Sequence, residues 1–355
     1  MGFDVDARTI YLARHGSHAY GLATPTSDLD LKGVCIESRE YHLGFLHKFE
    51  QDERKEPEDR VVYSLRKFVR LLSECNPNVI EVMFVQDSDV LVCDPFGALL
   101  REARDLFITR MARFTFAGYA KSQLGRIERH RRWLLKGAPV RPTRTEMGLP
   151  ERTVIPANQL AAAQAAIEKK LAQWNLRDMT GLSPAMRIVL TSFMTETLAE
   201  MTTASDSAWR AAGRTIGYDE NFLGLLELER RYKSRMDECD AHRDWERKRN
   251  PTRAELERRF GYDTKHGSHL LRLMRMCREI LQGKGVIVRR PDAEELLAIK
   301  LHGSMPYDVL VAEAKALDAE CGALYEASTL PDEPDMERLD ALVVDLTGRY
   351  LALHG

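Results

Sequence analysis

The chain has 355 residues and carries 52 Lys and Arg against 54 Asp and Glu, a net charge of −2, so no global field draws it to nucleic acid and any basic surface is local. Its length and 44% hydrophobic content suffice for two domains with a sizeable buried core. No apolar run approaches a membrane span, and Met1-Gly2-Phe3-Asp4-Val5-Asp6 carries acids where a secretory signal carries bases. The six cysteines (Cys35, Cys75, Cys93, Cys239, Cys277, Cys321) lack metal-ligand spacing, so reduced thiols in a cytoplasmic protein are expected.

In chain order, Thr9 to Arg14 reads as a strand or the end of a short helix, leading into a Gly-Ser turn. Asp28 to Ile36 reads as a strand, with Gly33 marking a bulge. Residues 50–60 are so charged that they read as a loop. Val61-Val62-Tyr63 is a short β-branched and aromatic strand. Leu65, Phe68, Val69 and Leu72 recur at helical spacing, so Ser64 to Cys75 is an amphipathic helix ended by Asn76-Pro77. Val79 to Val85 is apolar and fits a strand or a short helix, and Val90-Leu91-Val92 fits a strand.

After Pro95 the pattern turns helical. Phe96–Lys136, Asn158–Trp174, Ser183–Ala204, Asn221–Asp244, Pro251–Phe260 and Thr264–Leu281 are predicted helices, with Asp263 or Thr264 as N-cap of the last. Val286-Ile287-Val288 reads as a short strand. Ala293–Lys300, Tyr307–Tyr325 and Pro334–Leu351 close the chain as helices. The expected class is α/β (α+β): a core with a small mixed sheet, followed by a mostly helical second domain.

One constellation carries chemistry. Gly16-Ser17 is followed, about ten residues on, by Asp28-Leu29-Asp30-Leu31. Residues i and i+2 of a strand share a face, so both carboxylates converge on one side. Paired carboxylates repel unless a cation sits between them, and hard oxygen ligands suit Mg²⁺. A Gly-Ser turn offers backbone N–H groups and a hydroxyl to a phosphate, and Gly16, without Cβ, permits close approach. A phosphate holder beside paired acids fits metal-assisted nucleotidyl transfer.

The run Gly16-Ser17-His18-Ala19-Tyr20-Gly21 through Ser27-Asp28-Leu29-Asp30-Leu31-Lys32-Gly33-Val34 resembles the signature of the DNA polymerase β nucleotidyltransferase superfamily. It is most similar to the stand-alone bacterial and phage branch that includes RNA-ligase-associated members. Tyr63-Ser64-Leu65-Arg66-Lys67-Phe68, Asn76-Pro77, Gly118 to Leu124, Gly261 to His266, His269 to Leu273 and Arg289 to Leu297 extend the resemblance from about residue 12 to 335. The resemblance implies a catalytic core over residues 1–110 and a helical part over 111–355 completing the nucleotide and acceptor site. It implies that Asp28 and Asp30 bridge two Mg²⁺ or Mn²⁺ ions with bound NTP (ATP among the candidates), and that Gly16 and Ser17 hold the β- and γ-phosphates. A third carboxylate is expected from a later strand. Asp59 is the choice on the Asp-to-Tyr-Ser spacing, and Glu81, an acid in an apolar run, is the runner-up.

Lys265, His269 and Arg272 lie on one helical face, at i, i+4 and i+7, with Arg275 one turn on. That face is expected to contact the triphosphate. Lys121 is expected to touch a phosphate as well, and Tyr119 either stacks on a base or packs structurally. From Lys121 to Arg144 eight Lys and Arg face one acid, Glu128, with Trp133 among them. This stretch, Arg129, Arg131 and Arg132 above all, is a candidate acceptor strand site. Residues 227–260 read instead as solvated helix faces. The expected function is transfer of NMP from an NTP to an RNA 3′ end, with an RNA-ligase or other RNA-repair partner. Two alternatives stand beside it: the same chemistry on a protein or small-molecule hydroxyl, and a non-catalytic nucleotide- or RNA-binding module.

Overall fold

The computed structural model describes residues 3–56, 58–177 and 206–354. The helix expected over Ser183–Ala204 lies outside them. The described elements are strands β1 (Thr9–His15), β2 (Asp30–Cys35), β3 (Gln51–Arg54), β4 (Asp59–Ser64) and β5 (Val90–Cys93), and fourteen α-helices. These helices are α1 (Gly16–Tyr20), α2 (Arg39–Leu43), α3 (Leu65–Ser73), α4 (Pro77–Ile80), α5 (Pro95–Glu102), α6 (Ala112–Lys136) and α7 (Ala157–Arg177), then α8 (Asp206–Thr215), α9 (Glu220–Lys248), α10 (Pro251–Phe260), α11 (Thr264–Leu281), α12 (Ala293–His302), α13 (Tyr307–Ala327) and α14 (Met336–His354). The architecture is a small mixed sheet with helices, followed by a mostly helical region, as the helical patterning after Pro95 predicts.

The sheet runs β3-β4-β2-β1-β5. All neighbours are antiparallel except β2 and β4, which are parallel. Two expectations are corrected here. The charged stretch after Glu50 is not all loop: Gln51–Arg54 forms edge strand β3, where charged side chains are tolerated and block further pairing. The irregularity in the β1–β2 ladder sits on β1, where Thr9 and Tyr11 face the consecutive residues Cys35 and Val34. Gly33 pairs in register with Leu12, and its lack of a side chain answers a close approach: a Cβ there would collide with the Tyr11 carbonyl oxygen.

Local signals explain the next elements. Ser64 caps α3 by accepting from the Lys67 amide, and α3 buries Leu65, Phe68, Val69 and Leu72. Asn76 then caps α4, with Pro77 at its first position. The apolar run that follows continues as a 3₁₀ turn, Glu81–Phe84, not as a strand. No strand forms at Val286–Val288 either; Val286 and Val288 are buried without a ladder partner in the sheet.

Chain contacts divide the protein into two compact units. The first comprises residues 1–124 and 264–355, and the second residues 125–263. In the first, α11 is packed by α12 and α13 and buries Leu270, Leu271, Leu273, Met274, Met276, Cys277 and Ile280. Each such side chain contributes about 1.5–3 kcal/mol relative to exposure. In the second, Ile167, Trp209, Ala212, Leu223 and Leu226 form the core between α7, α8 and α9. The cysteines are free, and all but Cys93 are buried. No described helix is long and apolar enough to cross a membrane.

Candidate active site

The Gly-Ser turn and the paired acids meet because β1 and β2 form a hairpin whose connection contains one short helix. His15 ends β1 and Gly16, at φ +64°, opens α1. Gly21, at φ +78°, closes α1, and a turn from Thr24 to Ser27 returns the chain to β2. Register then places His15 opposite Asp30 on β1–β2, and Asp30 opposite Asp59 on β2–β4. Three chemistry-bearing residues thus share one row across three strands. Gly16 lies directly on this row, where a Cβ would collide with Asp30 Oδ2.

Asp30 is half-buried, while Asp28 and Asp59 are exposed. Burial first, then the charges of Asp59 and Asp28, raise the Asp30 carboxyl above the usual range, with Lys32 and Lys265 opposing. Asp30 therefore feels both neighbours, and the donor set of the three acids is all oxygen, which fits a hard divalent cation. The three are nevertheless not gathered as a tight ligand set. Among the described residues, the group whose ligand atoms all lie within 4.8 Å of one another is His130, Glu257 and Asp263, in the second unit. There Arg249 donates to Glu257 at 2.7 Å and Arg253 donates to Asp263. Burial and the Asp263 charge raise the Glu257 carboxyl. Arginine charges already balance those acids.

Glu81 is engaged in a buried network that reaches the row at His15. It is buried, accepts from Arg272 Nη1 at 2.6 Å and from the Tyr20 hydroxyl, and lies 3.4 Å from His15 Nε2. Burial works against its charge, but Arg272, with His15 and Tyr20, outweighs burial and holds the carboxyl well below the usual range. Register places Asp59, and not Glu81, opposite Asp30.

Two cations of the basic face expected on α11 are engaged within the protein. Arg272 is buried against Glu81, lies 3.7 Å from the Tyr20 ring centroid, and is not presented to solvent. Arg275 is buried too, paired with Asp292, Glu295 and Glu313. Lys265, in the first turn, is exposed and within charge reach of Asp30. His269 is half-buried with its ring edge on Tyr119 at 5.7 Å, and burial followed by the Arg272 charge lowers it to about 3, so it is a neutral imidazole near pH 7. His266 Nδ1 lies 2.7 Å from Gln123 Oε1. Lys121 is paired with Asp318 at 3.2 Å.

Arginines of the basic stretch are engaged within the protein as well. Arg131 donates to the Gly261 carbonyl at 2.7 Å, capping α10. Arg132 pairs with Glu238 at 2.7 Å, Arg144 takes both oxygens of Glu229, and Arg129 lies over Trp133. Glu229 and Glu238 belong to α9, so part of the region read as solvated faces supplies the counter-charges that the local count lacked.

Sequence reasoning missed three residues around the site. His15 is buried and lowered to about 4, by burial first and the Lys32 charge second. Tyr20 joins the Glu81 network. Lys32, two residues beyond Asp30 and so on its face, donates to the Asn78 carbonyl at 2.8 Å, and burial lowers its pKa. The strand expected from Asp28 begins at Asp30, so Asp28 precedes it; the period-2 alternation within the strand links Asp30 to Lys32 and was signal enough to include it.

A mixed sheet with acids on adjacent central strands, set against a Gly-Ser turn, is the arrangement that the sequence resemblance implies. In agreement, residues 3–144 match the family model described as "RNA repair pathway DNA polymerase beta family" (RlaP), which supports a polymerase-β-superfamily nucleotidyltransferase of the RNA-repair branch. No curated protein and no solved structure matches the chain. The motifs after residue 144 thus rest on where the structure puts them.

Proposed function

We propose that the protein is a two-metal nucleotidyltransferase that moves NMP from an NTP to an acceptor hydroxyl, with an RNA 3′ end as acceptor. The observation that carries this reading is the row His15–Asp30–Asp59 with Gly16 lying on the Asp30 carboxylate. The family description, centred on RNA repair, supports the acceptor class. Residues 1–110 supply the catalytic core, and the chain beyond completes the nucleotide and acceptor site.

Asp28, Asp30 and Asp59 would hold the divalent cations, Mg²⁺ or Mn²⁺. Bound there, such ions lower the pKa of the attacking hydroxyl and neutralise charge on the leaving pyrophosphate. The chain's own residues do the rest. The amides and hydroxyl of Gly16-Ser17 receive phosphate oxygens, and the absent Cβ at Gly16 lets them sit against Asp30. Lys265 provides an exposed charge on the same site. His269 presents an uncharged ring nitrogen and, with Tyr119, an aromatic surface for a base. His15, held neutral by burial, fixes the start of the turn without adding charge.

The test is to incubate the protein with Mg²⁺ or Mn²⁺ and each α-labelled NTP, offering RNA, DNA and cell lysate. Label entering RNA is expected. Label entering only a cellular protein would move the acceptor to a protein hydroxyl. No label in any fraction, with nucleotide still bound, would leave a binding module.

A further inference from the structure

The nucleotide-facing charge sought on α11 is largely consumed by ion pairs, yet two lysines of the first unit are held together. Thr264 Oγ1 donates to the Lys300 carbonyl at 2.8 Å, tying the start of α11 to α12. This brings Lys265 and Lys300 into mutual charge range. Lys300 Nζ is half-buried and donates to the Leu22 carbonyl at 3.1 Å. The Leu22 amide in turn donates to the Ser17 carbonyl at 2.8 Å. The Lys300 ammonium is therefore one hydrogen-bonded residue away from the Gly-Ser turn, while Lys265 reaches Asp30 by charge. Lys265 has the Asp30 carboxylate within charge reach, and the hydrogen bond of the Lys300 ammonium goes to a carbonyl and not to a carboxylate. Burial first and Lys265 second lower the Lys300 pKa, a cost that an arriving anion removes.

We propose that Lys300 pairs with Lys265 as an anion seat beside the Gly16-Ser17 turn, and that its ligand is the terminal phosphates of the nucleoside triphosphate. The proposal rests on the nucleotidyltransferase reading above. Lys300 contributes both a hydrogen bond that fixes Leu22 and a charge that meets phosphate, and the two roles separate by substitution. Lys300→Gln keeps a donor for the Leu22 carbonyl and removes the charge. Lys300→Arg keeps both.

The experiment titrates the full chain calorimetrically with ATP, AMP and inorganic tripolyphosphate, in Ca²⁺ buffer so that no turnover intervenes. For Lys300→Gln, affinity for ATP and tripolyphosphate is expected to fall about tenfold or more, with AMP little changed and Lys300→Arg near wild type. Lys265→Gln is expected to behave as Lys300→Gln does. Unchanged ATP and tripolyphosphate affinity in Lys300→Gln would overturn the inference, as would an equal loss for AMP, which would place the lysine against the base or the fold. A wild-type protein that takes neither ATP nor tripolyphosphate would overturn the nucleotidyltransferase reading itself, which separates the two failures.

Discussion

Replacing Arg272 by Met tests whether that residue is a buried strut. The wild-type guanidinium side chain is 4% exposed and Glu81 is 1% exposed, so the pair is cut off from water. Removing one partner of such a pair strands a buried charge and costs about 3–5 kcal/mol. Loss of the cation–π contact with Tyr20 adds on the order of 0.5–2 kcal/mol. The remaining bonds of Glu81 to Tyr20 and His15 offset part of this. The expected loss is therefore about 3–5 kcal/mol for Arg272→Met. Adding Glu81→Met removes the stranded carboxylate, so the double variant should be more stable than Arg272→Met alone. All four tryptophans (Trp133, Trp174, Trp209, Trp245) fall within residues 125–263, so indole fluorescence reports the other unit. The assay is urea unfolding followed by far-ultraviolet circular dichroism, with hydrogen exchange on peptides covering 264–281. A single-variant loss below about 1 kcal/mol, or a double variant that is simply the sum of the singles, would refute the strut.

Other outcomes follow from the same geometry. Asp59→Asn should abolish label transfer, whereas Glu81→Gln should act mainly on stability; the reverse pattern, read by transfer assay and thermal melting, would return the third-acid role to Glu81. His15 and His269 have native pKa values below the unfolded value near 6.5, so the unfolded chain binds more protons between that pH and about 4. Stability should thus fall as pH drops from about 6.5 toward 4, and a His15→Gln, His269→Gln double variant should flatten that slope in melts across pH. Arg131→Ala should destabilise the unit of residues 125–263 by about 1–2 kcal/mol, because it removes a charged donor from the Gly261 carbonyl. Trp fluorescence in urea measures this. If Arg129, Arg131 and Arg132 also contact RNA, neutralising them together flattens the salt dependence of RNA binding; an unchanged slope confines them to the fold.

The strands and helices were mostly legible because their signals are local. Alternation of Asp30, Leu31 and Lys32, helical spacing at Leu65, Phe68 and Leu72, and the caps Ser64 and Asn76 all act within a few residues. Edge strand β3 was hidden because its charges mimic a loop, and pairing with β4 is what makes it a strand. The Gly-Ser turn and the acids were legible as a spacing, and the hairpin explains that spacing. The fate of the arginines was not legible. Glu81 is 191 residues from Arg272 and Glu229 is 85 from Arg144, and nothing at either position marks its partner. A run of cations in sequence therefore overstates the charge left for a ligand once helices pack. Lys300 carried no motif at all; its meaning comes from its hydrogen bonds to Thr264 and Leu22.

The most direct test of the central claim is label transfer from an α-labelled NTP by Asp30→Asn beside wild type, with Mn²⁺ and an RNA acceptor. The substitution preserves shape while removing one charge from the row His15–Asp30–Asp59, so the melting temperature should stay at or above that of wild type. Wild-type protein labelling the RNA, with an Asp30→Asn protein that is folded and inert, is the predicted result. Folded Asp30→Asn protein that transfers label at the wild-type rate would contradict the assignment of these acids to the reaction.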